Sequence, residues 1–217
     1  MTLVNRILSA DPVETLNDYV DGGGGQGLEA ARKVEQDTLI AEVEASGLRG
    51  RGGAGFPTGT KWRTVYEHQS PAVATTVVVN AAEGEPGTFK DRTILRTNPY
   101  QVVEGALIAA RAVGATQIVF GMKQTFTTEV DRVRAVIKEA AGAGWIDDGV
   151  EVTVFEGPSE YLYGEETALL ESIAGRQPFP RIAPPYRRGI IEVVQTDEQA
   201  QSESGLAAPI DMAGETD

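Results

Sequence analysis

The sequence contains no cysteine and only one histidine among its 217 residues. A chain without thiols forms no disulfide, has no cysteine nucleophile and supplies no cysteine ligand to zinc or to an iron–sulfur cluster. The single histidine, His68, lies in a polar stretch, and we assign it no role. We therefore expect neither a metal site nor an iron–sulfur cluster within this chain.

Basic residues are scarce as well. The chain has 19 lysines and arginines against 32 acidic residues, which gives a formal net charge of −13. This balance argues against nucleic-acid binding and favours solubility or docking onto basic partners. No run approaches the roughly 20 apolar residues of a membrane span, and the first residues do not resemble a signal peptide. We expect a cytoplasmic protein without direct membrane insertion.

Glycine is abundant, and it is concentrated in residues 47–62, which read G-L-R-G-R-G-G-A-G-F-P-T-G-T-K-W. Such a stretch favours a loop whose bare backbone approaches a ligand, because its N–H groups can cradle phosphate or lie against a flat ring. A flexible basic linker is the alternative, but Phe56 and Trp62 are not typical of linkers. The spacing does not fit a P-loop, and a predicted helix over residues 34–46 precedes the loop where a dinucleotide fingerprint requires a strand.

After this loop, short β-branched runs alternate with amphipathic segments. The pattern predicts strands at residues 75–79, 117–122 and 150–155, with helices between them at 99–113 and 127–141 and a short helix at 165–174. This order predicts an α/β fold with a Rossmann-like parallel sheet, flanking helices and right-handed crossovers. Ligands of such sheets bind beyond the carboxyl ends of the strands.

Composition divides the chain into three parts. Residues 1–33 are predicted to be a helical and flexible segment, and residues 34–190 the Rossmann-like domain. Residues 191–217 form an irregular acidic tail that we expect to be disordered or truncated, because it lacks apolar periodicity and is rich in acidic residues.

Two acidic stretches follow predicted strands, and each has two interpretations. Glu83 and Glu85 flank Gly84, and they form either a solvated turn or a pair of carboxylates that bind ligand hydroxyl or amide groups. Glu165 and Glu166 begin a predicted helix, where they either complement the helix dipole or face a ligand. The residues alone leave both alternatives open.

Four motifs together resemble a known family. They are G-R-G-G-A-G-F-P-T-G-x-K-W, N-A-x-E-x-E-P-G-T-x-K-D-R, Y-x-x-G-E-E-T-A-L-x-x-S-I-x-G and P-R-x-x-P-P, and they lie within residues 34–186. In order and spacing they resemble the NADH-binding flavoprotein component, the F subunit, of respiratory NADH:quinone oxidoreductase (complex I). Related diaphorase subunits of NAD-linked hydrogenases and formate dehydrogenases share them. Only the N-terminal, FMN-binding part of that family is recognisable.

The resemblance implies an FMN-binding NADH dehydrogenase module, with NADH as substrate and with iron–sulfur electron-transfer subunits of a larger complex as partners. It also implies a location peripheral to the inner membrane through that complex. Hydride transfer between the two cofactors requires no general base, so no catalytic residue is assigned, and Glu85 and Glu166 are candidates for electrostatic tuning of the flavin. The cofactor-binding residues carried over by position are Gly50, Arg51, Gly52, Gly53, Ala54, Gly55, Phe56, Gly59, Lys61, Asn80, Glu83, Glu85, Tyr161, Gly164, Glu165 and Glu166.

The chain also departs from the family pattern. Ala82 stands where the family usually has aspartate. Tyr163 stands where the family often has cysteine, and because tyrosine is bulkier we expect it to alter access. The family's Asn-Asn stretch, its ubiquitin-like domain and its cluster-bearing domain are not recognisable, so we expect an incomplete enzyme. Two alternatives remain open: a non-catalytic nucleotide-binding or assembly module that requires a partner chain, and a different Rossmann-like enzyme.

Overall fold

The structure is a computed structural model that describes residues 8, 11–51 and 55–181. The chain divides into two units, Met1–Phe179 and Pro180–Asp217, and all the elements below belong to the first. The tip of the glycine loop, most of the P-R-x-x-P-P segment and the acidic tail lie outside the described residues. The three-part division of the chain therefore stays a prediction.

The described residues form eight α-helices, three strands and one 3₁₀ turn. In chain order these are α1 (Leu16–Asp21), α2 (Gln26–Arg32), α3 (Gln36–Ser46), α4 (Thr58–Glu67), β1 (Thr76–Ala81), α5 (Lys90–Thr97), α6 (Pro99–Val113), β2 (Gln117–Lys123), α7 (Thr127–Gly142), β3 (Glu151–Gly157), the 3₁₀ turn (Tyr161–Gly164) and α8 (Glu166–Ile173). Within this part of the chain, no helix combines the length and the apolar character needed to cross a membrane.

The three strands form one parallel sheet in the order β1-β2-β3. Thr76 of β1 lies opposite Gln117 of β2, which in turn lies opposite Glu151 of β3. The predicted parallel α/β sheet is thus confirmed, and the three strands run slightly past their predicted carboxyl ends. Parallel neighbours require crossovers, which α6 provides between β1 and β2 and α7 between β2 and β3.

Helix α6 begins and ends where the sequence predicts. The Asn98 side chain accepts a hydrogen bond from the Gln101 N–H, and Pro99 occupies the first turn. Gly114 ends the helix in the left-handed conformation, with φ of 59°. This conformation costs glycine little free energy because glycine has no Cβ.

The sheet packs helices on both of its faces. Ile118 and Phe120 of β2 point into the main core, which also contains the buried faces of α6 and α7. Tyr163 and Leu169 belong to a separate cluster, and a Cβ added to Gly121 of β2 would lie only 2.6 Å from Leu169 Cδ1. Helix α8 therefore covers the face of the sheet opposite α6 and α7.

The N-terminal helices are fastened to α6 by a buried carboxylate. Glu104 accepts hydrogen bonds from the Tyr19 hydroxyl at 2.6 Å and from the N–H groups of Gly25 and Leu28 at 2.9 Å. Burial, followed by the contact with Glu104, raises the pKa of Tyr19. The glycine run at residues 22–25, which lies within the segment predicted to be helical and flexible, is thus a hydrogen-bonded turn leading into α2.

Helix α4 is an element that the sequence did not predict. The prediction of a ligand loop that continues to residue 62 is wrong beyond Pro57, because Thr58 begins this helix. A Cβ added to Gly59 would lie 2.6 Å from the backbone nitrogen of Glu44, so glycine is needed here for close contact with α3. Arg63 then ties the two helices together through Glu44 at 3.1 Å. Pro, Thr and Gly at the start of α4 resemble a turn, which concealed the helix.

Candidate ligand-binding cleft

A polar cleft of about 510 Å³ lies at the carboxyl end of β1. Its walls come from the loop after β1, the first residues of α5, the 3₁₀ turn and the glycine loop. The lining residues are Arg51, Asn80, Glu83, Gly84, Glu85, Lys90, Asp91, Tyr161, Leu162, Gly164 and Glu165. Seven of these belong to the predicted set of site residues, and the cleft lies at the edge of the sheet where ligands of such folds bind.

Two glycines allow the loops that form this cleft to touch. A Cβ on Gly84 would lie 2.7 Å from the Tyr161 carbonyl oxygen, and one on Gly164 would lie 3.1 Å from the Gly84 nitrogen. The Asn80 side chain reinforces the junction, because its Nδ2 donates to the Gly164 carbonyl at 2.9 Å while its Oδ1 accepts from the Ala82 N–H at 3.2 Å. The predicted flavin contact Asn80 is therefore already engaged in joining the two loops.

Glu83 supports the same junction. Its side chain is only 1% exposed, and its carboxylate accepts hydrogen bonds from the Asp91 N–H at 3.0 Å and from Arg92 Nε at 2.9 Å. Its φ of 39° is the only positive value among the described non-glycine residues, a conformation that costs free energy and that its surroundings must hold. Burial alone would raise the pKa of Glu83, but the hydrogen bonds from Arg92 and from the N–H groups of Asp91 and Arg92 outweigh it and hold that pKa below its ordinary value.

Glu165 caps α8. Its carboxylate accepts a hydrogen bond from the Ala168 N–H at 2.9 Å and one from the Thr167 hydroxyl at 2.6 Å. Capping, one of the two interpretations that the sequence allows, is thus what this carboxylate does in the structure. We call the residues whose side chains or close backbone contacts hold the loops together the cleft floor: Asn80, Glu83, Gly84, Gly164 and Glu165.

Three other lining residues present free side chains to the cleft, and we call them the cleft rim: Arg51, Glu85 and Tyr161. Among the described residues, none of these side chains has a hydrogen-bond or ion-pair partner. Tyr161 is 60% exposed. The rim therefore offers a cation, an anion and an aromatic face, which are the groups that hold phosphate, hydroxyl or amide groups and a flat ring in a ligand.

The remaining predicted residues of α4 and α8 face a second hollow. Lys61 Nζ lies 3.1 Å from Glu166 Oε1, and both side chains are about 60% exposed. They line a groove of about 660 Å³ that runs along β1, and Asn80 lines both this groove and the cleft. Most of the described site residues thus divide between two neighbouring hollows, and four of them line neither: Gly50, Gly55, Phe56 and Gly59.

The glycine loop is closed at its base. The Gly50 N–H donates to the Phe56 carbonyl at 2.8 Å, and Arg49 Nε donates to the Gly55 carbonyl at 2.7 Å. Phe56 is 54% exposed. Gly52, Gly53 and Ala54 lie outside the described residues, so their assignment stays a prediction.

Four lining residues were not among the predicted site residues. Gly84 lies between two that were, and Leu162 belongs to the 3₁₀ turn. Lys90 and Asp91 begin α5, and Lys90 Nζ lies 2.8 Å from Asp91 Oδ1. The sequence did contain a signal for Lys90 and Asp91, because they are the K-D of the motif N-A-x-E-x-E-P-G-T-x-K-D-R, which also contains Glu83. Helix α5 brings them back to the cleft, and the sequence did not predict α5.

The two departures from the family pattern lie beneath the cleft. Ala82 and Tyr163 are fully buried in the same cluster, and neither lines the cleft. The Tyr163 ring packs directly against Gly157, because a Cβ added to that glycine would lie 2.2 Å from the ring's Cζ. Burial raises the pKa of Tyr163 to about 12, and its hydroxyl has no hydrogen bond of ordinary geometry with the described residues. The expectation that its bulk alters access to the cleft is therefore not supported by its position.

The chain is similar to known proteins in sequence and in structure. The sequence pattern of the Nuo51 FMN-binding domain matches residues 43–199. The chain belongs to this family. Two relatives are the F subunits of NADH-quinone oxidoreductase from Aquifex aeolicus, 38% identical over 181 residues, and from Rhodobacter capsulatus, 44% identical over 161 residues. The resemblance to this flavoprotein component is thereby confirmed.

The matches cover most of this chain but only part of the relatives. They span 80% and 71% of this chain, against 42% and 37% of the Aquifex and Rhodobacter proteins. A solved structure of an NAD⁺-reducing [NiFe]-hydrogenase in the H₂-reduced state is also similar, with a TM-score of 0.67 and 35% identity. That match covers 81% of this chain and 30% of the hydrogenase chain. The chain thus spans less than half the length of these proteins.

Proposed function

We propose that this chain is the FMN-binding, NADH-oxidising module of a larger oxidoreductase, and that its cleft holds the flavin. The observation that carries the proposal is the gathering of predicted site residues from three separate motifs at the carboxyl end of β1, in a chain of the Nuo51 FMN-binding domain family. The relatives named as NADH-quinone oxidoreductase subunits support NADH as the electron donor.

The residues present fit such a ligand. A volume of about 510 Å³ lies within the roughly 300–1,000 Å³ range of small-molecule sites. Arg51 is a cation without a partner among the described residues, and it would hold the phosphate group. The exposed ring of Tyr161 would lie against the flat ring system, and Glu85 would accept hydrogen bonds from ligand hydroxyl or amide groups.

When bound, FMN supplies the ability to accept a hydride and to release electrons one at a time. The chain's own residues bind and orient the two ligands. The negative charge of Glu85 at the rim would oppose additional negative charge nearby, and so would lower the midpoint potential of the flavin. The electrons would leave to an iron–sulfur carrier on another domain or subunit, because this chain has no cysteine with which to hold one.

The proposal is tested with the full chain and added FMN under anaerobic conditions. Oxidised flavin absorbs visible light and loses that absorbance on reduction, so we expect bound FMN to bleach when NADH is added. Glu85→Gln should raise the flavin midpoint potential or change the affinity for NADH. Glu42→Gln is the matched control, because Glu42 is an exposed glutamate on α3 that does not line the cleft.

Three outcomes decide between the functions. FMN binding with bleaching by NADH supports the dehydrogenase module. FMN binding without bleaching would instead favour a non-catalytic nucleotide-binding or assembly module. No binding of FMN at any concentration tested would overturn the proposal and leave open a different ligand for the cleft.

A further inference from the structure

Three aromatic rings lie together where the N-terminal helices pack against α6. The Tyr19 ring of α1 stacks on the Tyr100 ring of α6 with 5.8 Å between their centroids. It also lies 6.1 Å from the ring of Trp145, which follows α7. Aromatic pairs make favourable contact at such distances. Electrons also pass rapidly between rings that nearly touch, so the three rings form a continuous path for charge.

The three rings differ in their exposure to solvent. Tyr100 is 1% exposed, whereas Tyr19 and Trp145 are half-buried. Gly25 packs on the Trp145 ring, since a Cβ added there would lie 3.0 Å from the ring's Cζ2, and a Cβ added to Gly24 would clash with the Tyr19 ring. Backbone without side chains thus fixes the two outer rings. A reagent in solvent can reach these two rings but not Tyr100.

The Tyr19 hydroxyl carries its own proton acceptor. It donates to Glu104 Oε2 at 2.6 Å, and Glu104 is 7% exposed. Burial, followed by the contact with Glu104, raises the pKa of Tyr19, so the phenol keeps its proton at neutral pH. A phenol that loses an electron becomes a strong acid, and its proton then moves along the existing hydrogen bond to the carboxylate. One-electron oxidation of Tyr19 therefore leaves no net charge on its ring.

The neighbouring phenol is less suited to oxidation. Among the described tyrosines, only Tyr19 and Tyr100 donate to a carboxylate, and the partner of Tyr100 is Glu139 at 2.9 Å. The Arg132 guanidinium, however, lies 5.5 Å from the centroid of the Tyr100 ring. A cation over the ring opposes the positive charge that electron loss creates. Of the two stacked rings, Tyr19 is thus the easier to oxidise.

We propose that Trp145 and Tyr19 form a one-electron relay that intercepts oxidising radicals, with Glu104 as the proton acceptor. A one-electron oxidant, such as an organic peroxyl radical, takes an electron from the Trp145 ring and becomes an anion that takes a proton from water. Tyr19 passes an electron to Trp145 and its phenolic proton to Glu104, which leaves a neutral radical on Tyr19. A reductant such as ascorbate then gives one electron to Tyr19, and Glu104 returns the proton. The relay requires neither the cleft nor the proposed function.

Flash photolysis of the full chain without FMN tests the relay. Trp62→Phe serves as the background, because the chain has two tryptophans and Trp145 is then the only one left. Light-generated tris(bipyridine)ruthenium(III) removes one electron from an accessible ring, and tryptophan and tyrosyl radicals have distinct absorption bands. We expect the tryptophan radical to decay as the tyrosyl radical forms, at a rate that does not depend on protein concentration.

Two variants in this background locate the tyrosyl radical. Tyr19→Phe keeps the ring and removes the hydroxyl, and it should abolish the conversion, so that the tryptophan radical persists. Tyr66→Phe is the matched control, because Tyr66 is also half-buried but donates to no carboxylate among the described residues. The control should leave the conversion unchanged. A conversion that persists in Tyr19→Phe, or that is lost equally in both variants, would overturn the proposal.

The proton step has a measurement of its own. Because the phenolic proton moves with the electron, the conversion should be slower in D₂O than in H₂O, and it should not depend on the buffer concentration, since Glu104 is the acceptor. Glu104→Gln should slow the conversion. Equal rates in the two solvents, or a rate that rises with buffer concentration, would overturn the role of Glu104. The solvent comparison needs no change at Tyr19 or Glu104, so it decides the question even if those variants fail to fold.

Discussion

Glu83 and Glu85 stand two residues apart and line the same cleft, yet their carboxylates have different surroundings. Glu83 is buried and bonded to Arg92 and to the Asp91 N–H, whereas Glu85 has no side-chain partner among the described residues. The same contrast separates the whole floor of the cleft from its rim. The floor residues bond to or pack closely against other residues of the protein. The polar groups of the rim residues have no partner among the described residues and are available to a ligand.

This difference divides the predicted site residues between two roles, support of the fold and ligand binding. A family motif marks Asn80, Glu83 and Glu165 in the same way as Arg51 and Tyr161. In the structure, the first three join loops and cap a helix. Substitutions in the floor should therefore reduce the free energy of unfolding, and ligand affinity should fall only as a consequence. Substitutions in the rim should reduce ligand affinity alone.

The largest effect is expected from Gly84→Ala. The new Cβ would lie 2.7 Å from the Tyr161 carbonyl oxygen, and because this neighbour is backbone, one of the two loops must move. We expect unfolding by denaturant to show a loss of about 2–3 kcal/mol, as for overpacked sites. Gly142→Ala is the control, since a Cβ there has no neighbour within 4 Å. Equal effects of the two substitutions would contradict the claim that close contact at Gly84 holds the two loops together.

Glu83→Gln should cost about 1–2 kcal/mol of folding free energy, because a neutral amide replaces the carboxylate that bonds Arg92 and the Asp91 N–H. The pKa of Glu83 is held below its ordinary value of 4.5, so its contribution is complete above that pH and is lost as the pH falls through the lower, folded value. The difference in stability between the two proteins should be constant at neutral pH and should shrink below pH 4.5. A difference that grew in acid would contradict this role.

At the rim, Arg51→Gln should weaken FMN binding by about tenfold, or about 1.4 kcal/mol, and should change the unfolding free energy by less than about 0.5 kcal/mol. Fluorescence titration of FMN gives the affinity, and denaturant unfolding gives the stability. Lys138→Gln, which removes an exposed cation from α7, should change neither quantity. A loss of stability without a loss of FMN affinity would show that Arg51 supports the fold, as the floor residues do, and does not bind the ligand.

The smallest effect is expected beneath the cleft, at Tyr163→Phe. The Tyr163 hydroxyl is buried without a hydrogen bond of ordinary geometry among the described residues. Its removal therefore eliminates a buried polar group that is costly to desolvate, and no favourable hydrogen bond is lost. We expect a stability change of no more than about 0.5 kcal/mol in either direction, and unchanged FMN affinity. A large loss on unfolding would indicate a partner for the hydroxyl.

Elements with strong local signals were predicted well. The β-branched runs of β1 and β2, and the Asn98-Pro99 start and Gly114 stop of α6, specify their structures through nearby residues. Helix α4 was not predicted because its first turn, with Pro57 before it, contains residues that also form turns. Helix α5 was not predicted because the Gly- and Pro-rich residues 84–87 before it favour a loop. Gly59 is the clearest case, since its purpose is contact with Glu44, fifteen positions away in the sequence.

The site was predicted as a set of residues, but the roles of those residues were not. Seven residues that spacing and motif order assigned to the site line one cleft in the structure, and their contact with the cofactor stays a prediction. Spacing and motif order could not show that Glu83 would be buried and bonded to Arg92, or that Lys61 would pair with Glu166 outside the cleft, because these contacts depend on tertiary geometry. Lys90 and Asp91 were overlooked although their motif contains them, because α5, which turns them back toward the cleft, was not predicted.

The most direct test of the account is backbone hydrogen exchange of the full chain with and without FMN. If the cleft holds the flavin, added FMN should slow exchange in the loop after β1, residues 82–91, and in the turn at residues 161–165. Exchange in the core of α7 should stay unchanged. FMN that bound with protection only at other segments, and with none at these two, would contradict the assignment of the cleft.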